Sequence, residues 1–151
     1  MTTKPKKITT IYTDGSCDPN PGSGGWAALI IKGDKRNMIS GRADLSTNNR
    51  MELTAALQAI KRQKCGEMLE LFTDSQYLKK GITEWMDNWK AKNWKRKGGK
   101  LANVDLWKQL SEEIDNHQIS WHWVRAHAGN RYNEMVDKEA RLQAQSLKKK
   151  R

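Results

Sequence analysis

Ile8-Thr9-Thr10-Ile11-Tyr12-Thr13-Asp14-Gly15-Ser16 begins as a β-branched run and stops at an aspartate followed by glycine. Turn formers crowd the next stretch, Cys17-Asp18-Pro19-Asn20-Pro21-Gly22-Ser23-Gly24-Gly25. The pattern predicts a central strand that delivers a carboxylate, Asp14, to its end, a good place to hold a metal ion. The rest of the chain is read by asking which other acidic residues reach the same point.

Gly25 to Ile31 reads as a buried strand, Lys32-Gly33-Asp34-Lys35 as a hairpin turn, and Arg36 to Arg42 as a third strand. Short connections make these three an antiparallel meander. Ser46-Thr47-Asn48-Asn49 supplies helix-start residues, and Leu53, Ala56, Leu57 and Ile60 follow at helical spacing as a core-facing stripe. Met68 to Thr73 is a fourth strand stopping at Asp74, and Ser75 is placed to cap a short helix, Gln76 to Lys80. A second helical stretch carries Ile82, Trp85, Met86 and Trp89. Asn103 is expected to cap a further helix bearing Val104, Trp107, Leu110 and Ile114. Ile119 to Val124 is the fifth strand, and the loop Arg125 to Asn130 leads to a last helix with Val136, Ala140, Ala144 and Leu147 on one side. Strand–helix–strand crossovers are right-handed and parallel, so strands one, four and five lie side by side with the meander beyond them. The expected fold is α/β, a mixed five-stranded sheet flanked by helices.

The 151 residues fit one domain, 1–151. No run approaches the length of a membrane span, and the N-terminus lacks the apolar stretch of a signal peptide. The two cysteines, Cys17 and Cys65, give neither metal-type spacing nor a disulfide framework, so a reduced, cytoplasmic protein is expected. Net charge is +11, and its location is informative. The arm at 1–7, the segment from Lys90 to Lys100 and the tail at 147–151 hold thirteen of the 28 basic residues and none of the 17 acidic ones. The body is slightly acidic, and the excess positive charge sits on appendages, the pattern of a clamp for a polyanion.

Asp14 and Asp74 end two parallel strands, at the sheet edge where ligands collect. Glu52 lies near the start of the helix between them, with small Ala56 and Ala59 on its side. Asp137 lies near the start of the last helix. Each has a simpler role when taken alone: turn residue, helix start, partner of a helix dipole, surface charge. Their joint placement favours a site, because clustered anions repel and a divalent cation removes the conflict. Oxygen-only ligation favours Mg²⁺ or Mn²⁺, and two such ions about 4 Å apart suit in-line phosphodiester displacement.

In order and spacing, Thr13-Asp14-Gly15-Ser16, Thr47-Asn48-Asn49-Arg50-Met51-Glu52, Thr73-Asp74-Ser75-Gln76-Tyr77 and His127-Ala128-Gly129 with Asn133-Glu134 and Asp137 resemble the bacterial type 1 ribonuclease H family. The likeness runs from about Ile8 to Ala144. It implies the ribonuclease H-like fold with a basic protrusion, and an endonuclease cutting the RNA strand of RNA–DNA hybrids with little sequence specificity. The products carry 5′-phosphate and 3′-hydroxyl ends. Two Mg²⁺ ions are implied, with Mn²⁺ as substitute: Asp14 shared by both, Asp137 on the water-activating side, Glu52 and Asp74 on the leaving-group side. His127 takes the role of proton transfer or product departure, which a histidine suits near neutral pH; His117 and His122 are assigned structural places. The resemblance also implies substrate contacts: Cys17, Asn20, Asn48, Asn49 and Gln76 towards the minor groove, Trp85 and Trp89 against the deoxyribose track, and Thr47 with Asn103 on a DNA phosphate. The cluster Lys90, Lys92, Lys95, Arg96, Lys97 and Lys100, with Trp94, resembles the family's basic protrusion. Trp107, Trp121 and Trp123 are read as core or near-core.

The chain departs from the family pattern at Ala126, where glycine is common, and at Asn130-Arg131-Tyr132, which replaces a His-Pro-Glu-like run. Only about seven residues precede the first strand, so no separate hybrid-binding domain is expected, and the protein is expected to act as a monomer away from membranes. Two competitors remain open from the residues alone. One is a DNA nuclease or strand-transfer domain using the same metal site. The other is a nucleic-acid-binding module without catalysis, which leaves the four carboxylates unexplained.

Overall fold

The computed structural model describes residues 8–95, 99 and 101–146. The arm at 1–7, Arg96, Lys97, Lys100, Leu147 and the rest of the tail to 151 lie outside the described residues. Five strands, β1 (Ile8–Cys17), β2 (Gly22–Lys32), β3 (Lys35–Ser46), β4 (Met68–Thr73) and β5 (Gln118–Trp123), form one sheet in the order β3-β2-β1-β4-β5. β1–β2 and β2–β3 pair antiparallel, β1–β4 and β4–β5 parallel. That is the expected meander with a parallel extension.

β1 continues past Asp14, because Asp14, Gly15, Ser16 and Cys17 keep pairing with Ala27, Trp26, Gly25 and Gly24 of β2. On the other side, its parallel pairing stops with Tyr12 opposite Phe72. Asp14 and Asp74 each follow that last pair by two positions. Side chains alternate along a strand, so both carboxylates extend the face that carries Tyr12 and Phe72, whose rings stack at 4.6 Å.

The sheet has a core on each side. One, with Ile11, Leu71, Trp107 and Leu110, is covered by α1 (Asn48–Lys61) and α4 (Val104–Asp115). The other, with Tyr12, Ala27, Leu29, Val136 and Ala140, lies under α5 (Arg131–Ser146). Leu53, Ala56, Leu57 and Ile60 of α1 are all buried, as their spacing predicts. Thr47 caps α1 by accepting a hydrogen bond from the Arg50 N–H at 3.1 Å. Ser75 does the same for α2 (Gln76–Lys80) through Leu78.

Two local expectations change. The stretch after α2 is a π-helical turn, Gly81–Trp85, followed by α3 (Met86–Ala91). The extra residue in that turn rotates the stripe, burying Met86 and leaving Trp85 and Trp89 half-exposed. Gly81 permits this packing, since a Cβ there would fall inside the Trp107 indole. Asn103 does not cap α4 with its side chain. It sits in the left-handed region at φ 59°, and its amide is spent elsewhere. The abundance of tryptophan also has an explanation: Trp85, Trp89, Trp94 and Trp107 make successive ring contacts around Tyr77, and Trp121 stacks on Trp123. Among the described residues no helix is long and apolar enough to cross a membrane.

Candidate active site

Asp14 from β1, Glu52 from α1 and Asp74 after β4 each bring a carboxylate oxygen within 4.8 Å of the other two. Register delivers the aspartates and close packing delivers the glutamate. A Cβ on Gly15 would overlap backbone atoms of Met51 and Glu52, so glycine is what lets α1 lie against β1 at this level.

The cluster is electrostatically unstable by itself. Asp14, 4% exposed, has its carboxyl pushed up to about 7, chiefly by burial and further by the Asp74 and Asp137 carboxylates. Glu52 is raised well above the usual range by burial and by the neighbouring Asp14 carboxylate. Asp74 is raised too, by burial first, while Asn133 and His127 oppose the rise. Glu52 Oε2 is sealed from solvent without a hydrogen-bond partner. An orphaned buried oxygen among three carboxylates fits a hard divalent cation, which would satisfy the oxygen and neutralise the repulsion.

Asp137 of α5 lies beside Asp14 but outside the close trio, and Arg141 one turn on holds it at 2.9 Å. His127, exposed and at φ 56°, is near enough for its charge to act on Asp74. The departure at Asn130 is constructive, since its side chain caps α5 by accepting from the Asn133 N–H at 3.0 Å. Asn133, 2% exposed, approaches Asp74 Oδ2 through Nδ2 at 3.5 Å. In the sequence Asn133 stood out as part of the motif Asn133-Glu134 and as the position one helical turn before Asp137, while its approach to Asp74 was not legible. The other two histidines stay away from the trio. His117 bridges the Glu113 and Gln63 carbonyls, and His122 stacks on Phe72 at 4.4 Å.

The substrate candidates separate into two regions. Near the trio, Asn48 Oδ1 accepts from the Cys17 N–H at 2.6 Å, and Asn20 Oδ1 accepts from the Asn48 N–H at 3.1 Å. These bonds tie the loop after β1 to α1 through the acceptor ends of both amides. Asn49, next to Asn48, and Gln76, two positions after Asp74, are exposed. Further out, Tyr77, Trp85, Trp89, Lys92, Lys95 and Leu101 line a groove of about 490 Å³. Lys90 faces α4 instead, 3.8 Å from Asp115. Arg96 and Lys97 lie outside the described residues. Near Thr47, Arg50 pairs in bidentate fashion with Asp105 and reaches Asn103 Oδ1 at 3.4 Å.

Anionic ligands for a cation, beside a cationic aromatic groove for a polyanion, are what a metal-dependent nuclease requires, and this chain falls in that class. The family model described as RNase H matches residues 6–145. A ribonuclease H of Hahella chejuensis is 51% identical over 137 residues, covering 90% of this chain and 93% of that protein. One from Pseudomonas aeruginosa is 47% identical over 137 residues, covering 89% and 92%. The crystal structure of LC9-RNase H1, a type 1 RNase H with the type 2 active-site motif, is similar with a TM-score of 0.83 at 29% identity, covering 96% of this chain and 75% of that one. The chain belongs to the ribonuclease H family.

Proposed function

We propose that this ribonuclease cuts the RNA strand of RNA–DNA hybrids by two-metal hydrolysis, leaving 5′-phosphate and 3′-hydroxyl ends, with little sequence preference. The observation that carries the reading is the Asp14–Glu52–Asp74 cluster, with Asp14 buried, its partners half-buried and a Glu52 oxygen orphaned. Asp14 would be the ligand shared by two Mg²⁺ ions, with Glu52 and Asp74 to one side and Asp137 to the other. When bound, such ions supply charge neutralisation and a water of lowered pKa. His127 carries a proton or assists product departure beside Asp74.

The amide NH₂ ends of Asn20 and Asn48, whose acceptor ends are engaged, are suited to RNA 2′-hydroxyls, the group that distinguishes the strands. Cys17, Asn49 and Gln76 complete that wall. Trp85 and Trp89 face the DNA sugar track, and Thr47 with Asn103 grips a DNA phosphate. Lys92 and Lys95, with Arg96 and Lys97 of the same segment, hold the duplex by charge, while Lys90 is drawn to Asp115. The chain is read as one catalytic domain acting as a cytoplasmic monomer.

The test offers a hybrid, duplex DNA and duplex RNA side by side, with Mg²⁺ and with EDTA. Only the RNA strand of the hybrid is expected to be cut, and EDTA is expected to abolish cleavage. Equal cleavage of duplex DNA, or full activity in EDTA, overturns the reading. The clamp has its own check. Replacing Lys92 and Lys95 together with alanine should raise KM and lower the slope of log KM against log salt by about 1–2, as each phosphate left without its lysine removes roughly one unit of slope. An unchanged slope removes these two lysines from the grip.

A further inference from the structure

Tyr77 stands where the DNA-side groove meets the Asn103 loop, and the metal cluster makes no use of it. Its hydroxyl oxygen accepts from Asn103 Nδ2 at 3.2 Å and from Trp107 Nε1 at 3.1 Å. At the other end of the Asn103 amide, Oδ1 accepts from Arg50 Nη1 at 3.4 Å, and Asp105 clamps that guanidinium. Guanidinium and indole nitrogens only donate, so the roles are fixed. Arg50 selects the oxygen end of the amide, and Trp107 helps keep the Tyr77 oxygen an acceptor for the NH₂ end. A flipped amide would set NH₂ against the Arg50 donors.

Asn103 meanwhile holds φ 59° and makes no side-chain bond to the helix it precedes. A left-handed residue that does not cap is a conformational cost without local return, a sign of a functional constraint. We propose that Tyr77 is a positioning residue that fixes the Asn103 amide so that the remaining Nδ2–H is aimed at a phosphate of the DNA strand. This rests on the reading above that Asn103 grips that phosphate. Because Tyr77 also contacts Trp85, at 5.9 Å between ring centroids, one side chain sets the phosphate grip and the aromatic platform together.

Steady-state kinetics on a short hybrid, for the wild type, Tyr77→Phe, Asn103→Ala and the double variant, tests it. Tyr77→Phe keeps the ring and its contacts with Trp85 and Trp107, and circular dichroism verifies the fold. It is expected to raise KM by about 3- to 10-fold, the range of one missing hydrogen bond, with kcat retained. Asn103→Ala should raise KM at least as much, and the double variant no further, because Tyr77 acts through Asn103. A wild-type KM for Asn103→Ala sinks the phosphate reading and this inference with it. A raised KM for Asn103→Ala beside a wild-type KM for Tyr77→Phe, or KM effects that multiply in the double variant, overturns the role of Tyr77 alone.

Discussion

Asp14→Asn is expected to lower Mg²⁺-dependent hydrolysis by at least about 10³-fold while making the metal-free protein more stable at neutral pH. Loss of activity follows from removing the carboxylate placed between Glu52, Asp74 and Asp137. The gain in stability follows from the same crowding. Burial and the neighbouring carboxylates raise Asp14 from 3.8 to about 7. An acid raised in the fold is favoured in its protonated form. Its contribution to stability is therefore most favourable below about pH 4, and it declines as pH climbs towards 7. Acting alone, that shift would cost roughly 4 kcal/mol at high pH. Because Glu52 is raised beside it and the two carboxyls titrate as a pair, a gain on the order of 2 kcal/mol is expected for asparagine.

Urea unfolding in EDTA between pH 4 and 8 is the measurement. The stability difference between variant and wild type should be small at pH 4 and grow towards pH 7, and Mg²⁺ should shrink it by stabilising only the wild type. A variant that keeps full activity removes the metal-site argument. One that is less stable than the wild type at pH 7 in EDTA contradicts the electrostatic account.

What the sequence disclosed depended on whether the determining interaction was periodic or non-local. The stripe Leu53, Ala56, Leu57, Ile60 and the fourth and fifth strands were legible because repeats of 3.6 and 2 record which face is buried. Asp14, Glu52 and Asp74 were legible as ends and starts of elements whose order allowed one assembly. The continuation of β1 to Cys17 was not, because turn-forming residues were held in the strand by pairing with β2. The π-helical turn was not either, since one inserted residue leaves the apolar pattern nearly unchanged. Asn103 read as a cap because asparagine usually is one; only the positions of Arg50 and Tyr77, distant in sequence, redirect its amide. The Arg141 partner of Asp137 could be read as an ordinary helical spacing, but not as a restraint on a site residue.

Gly15→Ala should separate the packing argument from the ligand argument, because it leaves every carboxylate in the chain. The added Cβ would overlap the backbone carbonyl carbon of Met51 and the amide nitrogen of Glu52, and would lie 2.7 Å from Met51 O. Backbone atoms of a helix cannot rotate aside as a side chain would, so α1 has to move, taking Glu52 with it. Overpacking of this kind costs about 1–3 kcal/mol, and the rigid contact places this variant at the upper end. A carboxylate displaced by about 1 Å is enough for a roughly 100-fold fall in rate. The comparison is Gly33→Ala in the β2–β3 turn, where φ is +57° and nothing lies within 4 Å of the added Cβ. There the cost is backbone strain of about 1 kcal/mol with activity intact. Thermal unfolding, with turnover measured well below both midpoints, distinguishes them. If Gly15→Ala is folded and as active as Gly33→Ala, contact between α1 and β1 is not what assembles the site. If it is folded and slow, the helix sets Glu52 in place through the glycine next to Asp14.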